Sequence, residues 1–172
     1  MSRSALPGRR VPPLPSPRSE SIEHMTANDP APPAPTAPAE FESLLAEARA
    51  IAERAFTPYS RFRVGAAALA EDGRLLRGCN VENAGYGVTL CAECGLISDL
   101  IAGGGGKLHR FVCVGGDESL ARDERGVVMP CGRCRQLLSE HAGADLVILT
   151  PEGPRTMAEV LPQAFGPSDL AR

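Results

Sequence analysis

The sequence predicts an α/β domain in three layers (α/β/α), with helices packed on both faces of a single mixed sheet. Three observations predict it. Some segments repeat apolar residues at helical spacing, while others are short apolar runs rich in β-formers. The two kinds alternate along the chain as α, β, β, α, β, α, β, α, an order that layers helices over one sheet. The chain has 172 residues, enough for one such domain and a tail.

Residues 1–39 are the tail. They are rich in Pro, Ala and Ser, with Pro12-Pro13 and Pro32-Pro33 forbidding a regular helix. Without a periodic apolar face they cannot offset their ordering entropy, so disorder is expected. Met25 lies within this stretch as an alternative start. The folded domain is expected over 40–172. From Glu40, the residues Phe41, Leu44, Leu45, Ala48, Ile51, Ala52 and Ala55 mark one amphipathic helix that ends before Thr57-Pro58. Residues 63–70 and 74–79 read as strands of a hairpin turned at Glu71-Asp72-Gly73. Residues 80–88 form a polar loop. A helix over 91–102 stops at the glycine run 103–106. A strand at 109–115, a helix at 132–141, a strand at 145–150 and a short helix at 156–161 follow. The remainder from Pro162 is irregular, and any further strand after Thr150 is not legible.

The net charge of −3 offers no basic footprint for a nucleic-acid polymer. No apolar run is long enough to span a membrane. Six cysteines could suit a secreted protein, but Arg9-Arg10 is followed by prolines and not by an apolar leader. The expected compartment is therefore cytoplasmic, where clustered thiols are metal ligands more often than disulfides.

Two cysteine stretches carry the chemistry: Thr89-Leu90-Cys91-Ala92-Glu93-Cys94 and Met129-Pro130-Cys131-Gly132-Arg133-Cys134. Both fall where a helix begins, and helix N-termini stabilise thiolates. Two readings compete. Four thiolates from Cys91, Cys94, Cys131 and Cys134 would make a closed structural zinc site in a non-enzymatic module. Three thiolates from Cys91, Cys131 and Cys134 would leave a coordination position open, and Glu93 beside it could move protons. Cys91 and Glu93 can serve one site only if Cys91 sits at the helix boundary. Cys79 and Cys113 read as small buried hydrophobes.

The pattern Cys91-Ala92-Glu93 with Pro130-Cys131-x-x-Cys134-Arg135-Gln136 resembles the zinc-dependent nucleoside deaminases. Four further stretches are similar to the short cytidine deaminases, in the usual order. They are Pro58-Tyr59-Ser60-Arg61-Phe62, Val64-Gly65-Ala66-Ala67, Gly78-Cys79-Asn80-Val81-Glu82-Asn83 and Leu161-Pro162-x-Ala164-Phe165. The resemblance covers about residues 40–170. It implies a cytidine deaminase-like fold and one Zn²⁺ per chain on Cys91, Cys131 and Cys134. It also implies hydrolytic deamination of cytidine and 2′-deoxycytidine in pyrimidine salvage, with Glu93 moving the protons. Substrate-binding roles fall to Asn80 and Glu82 at the ribose hydroxyls, Phe62 on the base, Ala92, and Phe165 reaching a neighbouring subunit of a homotetramer. Tyr86 would lie near such a contact. A deaminase acting on a cytosine-bearing antibiotic such as blasticidin S is the alternative enzyme. One departure stands out: the family usually has Arg directly after the catalytic Glu, and this chain has Cys94. Balance for the thiolates is then expected from the helix N-termini or from Arg133.

Overall fold

A computed structural model of the protein describes residues 38–170. The expected tail, residues 1–39, lies outside that range except for its last two positions. Among the described residues no helix is long and apolar enough to cross a membrane.

Helix α1 spans Glu42–Ala52 and is entered through a 3-10 turn at Ala39–Phe41. Together they bury Phe41, Leu44, Leu45, Ala48 and Ala52, the residues whose spacing predicted the helix. The helix stops three residues before Ala55 because the chain is needed elsewhere. The Phe56 N–H donates to the Asn80 carbonyl at 3.1 Å, and the Phe56 carbonyl accepts from the Glu82 N–H at 2.9 Å. Strands β1 (Phe62–Ala70) and β2 (Leu75–Cys79) form the expected antiparallel hairpin. Gly73, at φ +83°, supplies the left-handed residue of its turn. There follow α2 (Ala92–Ala102), β3 (Leu108–Asp117), β4 (Gly126–Val127), α3 (Gly132–His141) and β5 (Ala142–Thr150). The chain ends in β6 (Gly153–Thr156), α4 (Met157–Val160) and α5 (Pro167–Leu170).

The strands make one six-stranded sheet in the order β2-β1-β3-β5-β6, with β4 added beside β3. Among the described strand pairs only β3 and β5 run parallel. Parallel neighbours need a crossover, and α3 lies in it. Alternation along β1 separates the two cores. Ala67 faces α1 together with Val112, Val114 and Leu149. Ala66, Ala68 and Ala70 face the other way, with Leu76, Phe111 and Ile148, against Leu96, Leu100 and Leu138 of α2 and α3. The sheet thus lies between two helical layers, as the sequence predicts.

The small residues of the hairpin set how closely the helices approach. A Cβ on Gly78 would lie 2.1 Å from the Ala92 carbonyl oxygen and 2.5 Å from the Leu96 nitrogen, both helix backbone that cannot swing away. Gly78 therefore fixes the seat of the first turn of α2, where Cys91 and Glu93 stand. Gly78→Ala should destabilise the fold by roughly 1–3 kcal/mol, as overpacking does. It should also weaken metal retention, measured as faster zinc loss to a chelator. An unchanged melting temperature and unchanged zinc release would mean that α2 is not held by this contact.

Candidate metal centre and active-site cleft

Cys91 is the N-cap of α2 and Cys131 is the N-cap of α3. Both have extended backbone, with ψ 158° and 167°, so each is the last residue before its helix turns. That meets the geometric condition set by the sequence: with Cys91 outside the helix, Cys91 and Glu93 can face one centre. Cys134 follows one turn into α3 and is fully buried. The three sulfurs lie within 4.8 Å of one another, with Cys91 Sγ and Cys131 Sγ 3.9 Å apart. A tetrahedral zinc ion with bonds of about 2.3 Å to sulfur separates its ligand sulfurs by about 3.8 Å, so these residues fit that ion.

The electrostatics agree with a cation here. Two helix N-termini converge, and the partial positive charge of each favours thiolates. Burial, followed by neighbouring charge, pushes the Cys134 thiol far up. Burial likewise raises Cys91. Burial opposes ionisation of Cys131 as well, but the Cys134 N–H and the Cys134 and Cys91 thiols hold it below the ordinary thiol value. Three sulfurs crowded together, two of them resisting ionisation as bare thiols, are a donor set that a divalent metal completes.

Cys94 does not join the cluster. Its sulfur accepts from Arg133 Nη2 at 3.4 Å. Among the described residues the metal-ligating group has three members, and the fourth cysteine of the closed-site reading is not one of them. Arg133 brings a positive charge to the same helix ends.

Glu93 stands in the first turn of α2 and is 3 % exposed. Cys113 on β3 donates its S–H toward Glu93 Oε1 at 3.8 Å. Burial first, then the Glu93 charge, keeps the Cys113 thiol well above its ordinary value, so it stays a donor. Sequence reasoning read Cys113 only as a small hydrophobe, because a cysteine in an apolar strand carries no mark of the residue it will face.

A cleft of about 250 Å³ opens over this group. Cys91, Ala92, Glu93, Cys113 and Cys131 form its floor, and Val64, Leu90, Val128 and Met129 form apolar walls. Phe62 and Asn80 line it from the hairpin side. Asn80 is clamped to β1: its Nδ2 donates to the Phe62 carbonyl at 3.0 Å and its Oδ1 accepts from the Val64 N–H at 2.8 Å. A primary amide has two donors and two lone pairs, so one of each is left for a ligand. Glu82 lies in an adjoining recess of about 210 Å³ with Tyr59, Ser60 and Tyr86, and Thr89 borders both spaces. Its Oε2 accepts from the Tyr59 N–H at 3.0 Å and the Ser60 N–H at 3.2 Å. The Ser60 hydroxyl and these N–H groups hold the Glu82 carboxyl below its usual range, so it is ionised at neutral pH. Phe165 stands apart from the cleft, 59 % exposed, its carbonyl accepting from Gln136 Nε2 at 2.8 Å. The fold therefore gathers Cys91, Cys131, Cys134, Glu93, Ala92, Phe62 and Asn80, puts Glu82 next door, and leaves Phe165 outside.

Comparison with known proteins gives the same picture. A family model described as the cytidine and deoxycytidylate deaminase zinc-binding region matches residues 38–150. A cytidine deaminase of Mycobacterium tuberculosis is 50% identical over 133 residues, covering 77% of this chain and 95% of the relative. One from Sporosarcina psychrophila is 36% identical over 137 residues, covering 77% and 96%. The crystal structure of cytidine deaminase from Mycobacterium leprae superposes with a TM-score of 0.66 at 49% identity, over 73% of this chain and all of that one. With the matched region spanning both cysteine stretches and Glu93, the chain belongs to the cytidine and deoxycytidylate deaminase family.

Proposed function

We propose that the protein is a zinc-dependent hydrolase that converts cytidine and 2′-deoxycytidine to uridine and 2′-deoxyuridine with release of ammonia, in pyrimidine salvage within the cytoplasm. The observation that carries this reading is the three-sulfur centre with buried Glu93 beside it, at the floor of a largely apolar cleft. Zinc on Cys91, Cys131 and Cys134 would supply Lewis acidity that makes water acidic enough to attack C4 of the cytosine ring.

The chain's own residues do the rest. Glu93 takes up a proton, delivers it to N3 of the base and later assists the departure of the amino group. Its burial shields these transfers from bulk water, and the Cys113 thiol orients its Oε1. Phe62 packs on the base, while Ala92 leaves the space in which the ring lies. The free amide valences of Asn80 and the ionised carboxylate of Glu82 suit ribose hydroxyls. Polar groups placed to meet a hydroxyl lose a partner when that hydroxyl is missing, which favours a nucleoside over a free base. The test is loss of cytidine absorbance on incubation with the purified, zinc-loaded protein. Steady conversion to uridine supports the reading, and no conversion of either nucleoside would refute it.

The assembly proposed is a homotetramer in which Phe165 enters a neighbour's site. Its ring is largely exposed in the single chain, and Tyr86 and Val88 are exposed at 82 % and 65 % near the recess of Glu82. Large apolar side chains left exposed are the usual anchors of an interface. Phe165→Ala should raise KM for cytidine several-fold while lowering the melting temperature little. Sedimentation showing a fully active monomer would return Phe165 to a surface residue without function.

A further inference from the structure

Arg61 is one of two residues other than glycine with positive φ among those described, at φ +59°. It stands between the two N–H groups that hold Glu82 and the aromatic ring that enters the cleft. Residues without glycine's freedom occupy this region at a cost, and they persist there when the surroundings hold them. The surroundings are visible. The Arg61 N–H donates to the Thr57 carbonyl at 3.1 Å, closing the turn from within. From outside, the first residue after β3 grips Arg61 twice: the Glu118 N–H donates to the Arg61 carbonyl at 2.7 Å, and Arg61 Nε donates to Glu118 Oε1 at 2.7 Å. The left-handed residue reverses the chain between Ser60 and Phe62. Tyr59 and Ser60 can then aim both N–H groups at one oxygen of Glu82, while Phe62 begins β1 in register with Asp117. The Phe62 ring is laid against Gly115, where an added Cβ would lie 2.8 Å from its Cε1.

We propose that Arg61 is a positioning residue for nucleoside recognition: its left-handed backbone, latched by Glu118, sets Glu82 and Phe62 in the geometry that reads sugar and base together. This rests on the cytidine-deaminating reading above. The conformation is the main device and the ion pair is an aid. Arg61 is 63% exposed and Glu118 34%, and water screens such pairs.

The experiment is a substitution series at Arg61 in the full-length zinc enzyme, with kcat and KM for cytidine and the melting temperature measured for each variant. Asparagine and glycine tolerate the left-handed region, whereas alanine and the β-branched valine resist it. Arg61→Asn and Arg61→Gly should keep KM within about threefold of wild type, Arg61→Ala should raise it, and Arg61→Val should raise it about tenfold, all with kcat nearly unchanged. Glu118→Gln, which leaves the backbone grip intact, should change KM by about threefold or less. In a Glu82→Gln background the Arg61 series should add much less to KM, because both changes act through one recognition element. Equal KM values across the series, an order that follows charge instead of left-handed tolerance, or full additivity with Glu82→Gln would each overturn the proposal. If Arg61→Val does not fold, the Asn, Gly and Ala comparison still decides. Wild-type protein inactive on cytidine would refute the parent reading instead.

Discussion

Glu93→Ala is expected to lower kcat for cytidine about 10²–10⁴-fold, the range over which positioned acid–base groups act. Metal content and assembly should be unchanged. The expectation follows from placement. Glu93 sits beside the three sulfurs but is not one of the cluster, so its removal deletes no ligand. It is buried in the cleft floor, and among the described residues lining the cleft no other side chain is a carboxylate. The substitution leaves the first turn of α2 intact, since alanine is a good helix former. Steady-state kinetics with zinc analysis on the same preparation checks it. A variant within tenfold of wild-type turnover would remove Glu93 from the mechanism. A variant that loses zinc would make Glu93 a ligand or a support for one.

Cys134→Ala is expected to abolish stable zinc binding, and with it turnover. Cys134 is fully buried one turn above Cys131, so water cannot easily replace its sulfur, and the two remaining thiols are not enough to close a tetrahedral site. The loss should exceed the roughly 10–100-fold weakening typical when only a supporting group around the ligands is removed. Cys94→Ala provides the contrast. Its sulfur contacts Arg133 and not the cluster, so zinc should stay and kcat should change far less. Competition with a chromogenic chelator separates the two cases. Equal zinc loss in both variants would restore a four-cysteine site.

The core of the fold was legible because its elements are long and periodic. Leu44, Leu45 and Ala48 announce α1, and Phe111 to Val114 announce the buried middle of β3. The short elements were not. β4 has two residues, and β6 is Gly-Pro-Arg-Thr, with no apolar alternation and a proline that suits only an edge. α5 is a single turn held by its own Asp169 side chain, a local device with no apolar face to betray it. β5 begins at Ala142, earlier than Asp145, because Ala142 pairs with Leu108 ahead of a register shift, after which Val147 pairs with Arg110. The site divides in the same way. Residues at fixed spacing on helix starts, Cys91, Glu93, Cys131 and Cys134, could be found in the sequence. What depends on one segment meeting another far away in sequence, such as Cys113 against Glu93 or Glu118 against Arg61, could not, since each pair joins segments with no shared local pattern.

The central claim is an open centre of three thiolates served by Glu93. Zinc K-edge X-ray absorption on the purified enzyme tests it most directly. The expected spectrum fits three sulfur scatterers at about 2.3 Å and one lighter oxygen or nitrogen scatterer, and it is unchanged by Cys94→Ala. A fit requiring four sulfurs would contradict the account, because a closed site leaves no position at which Glu93 could act.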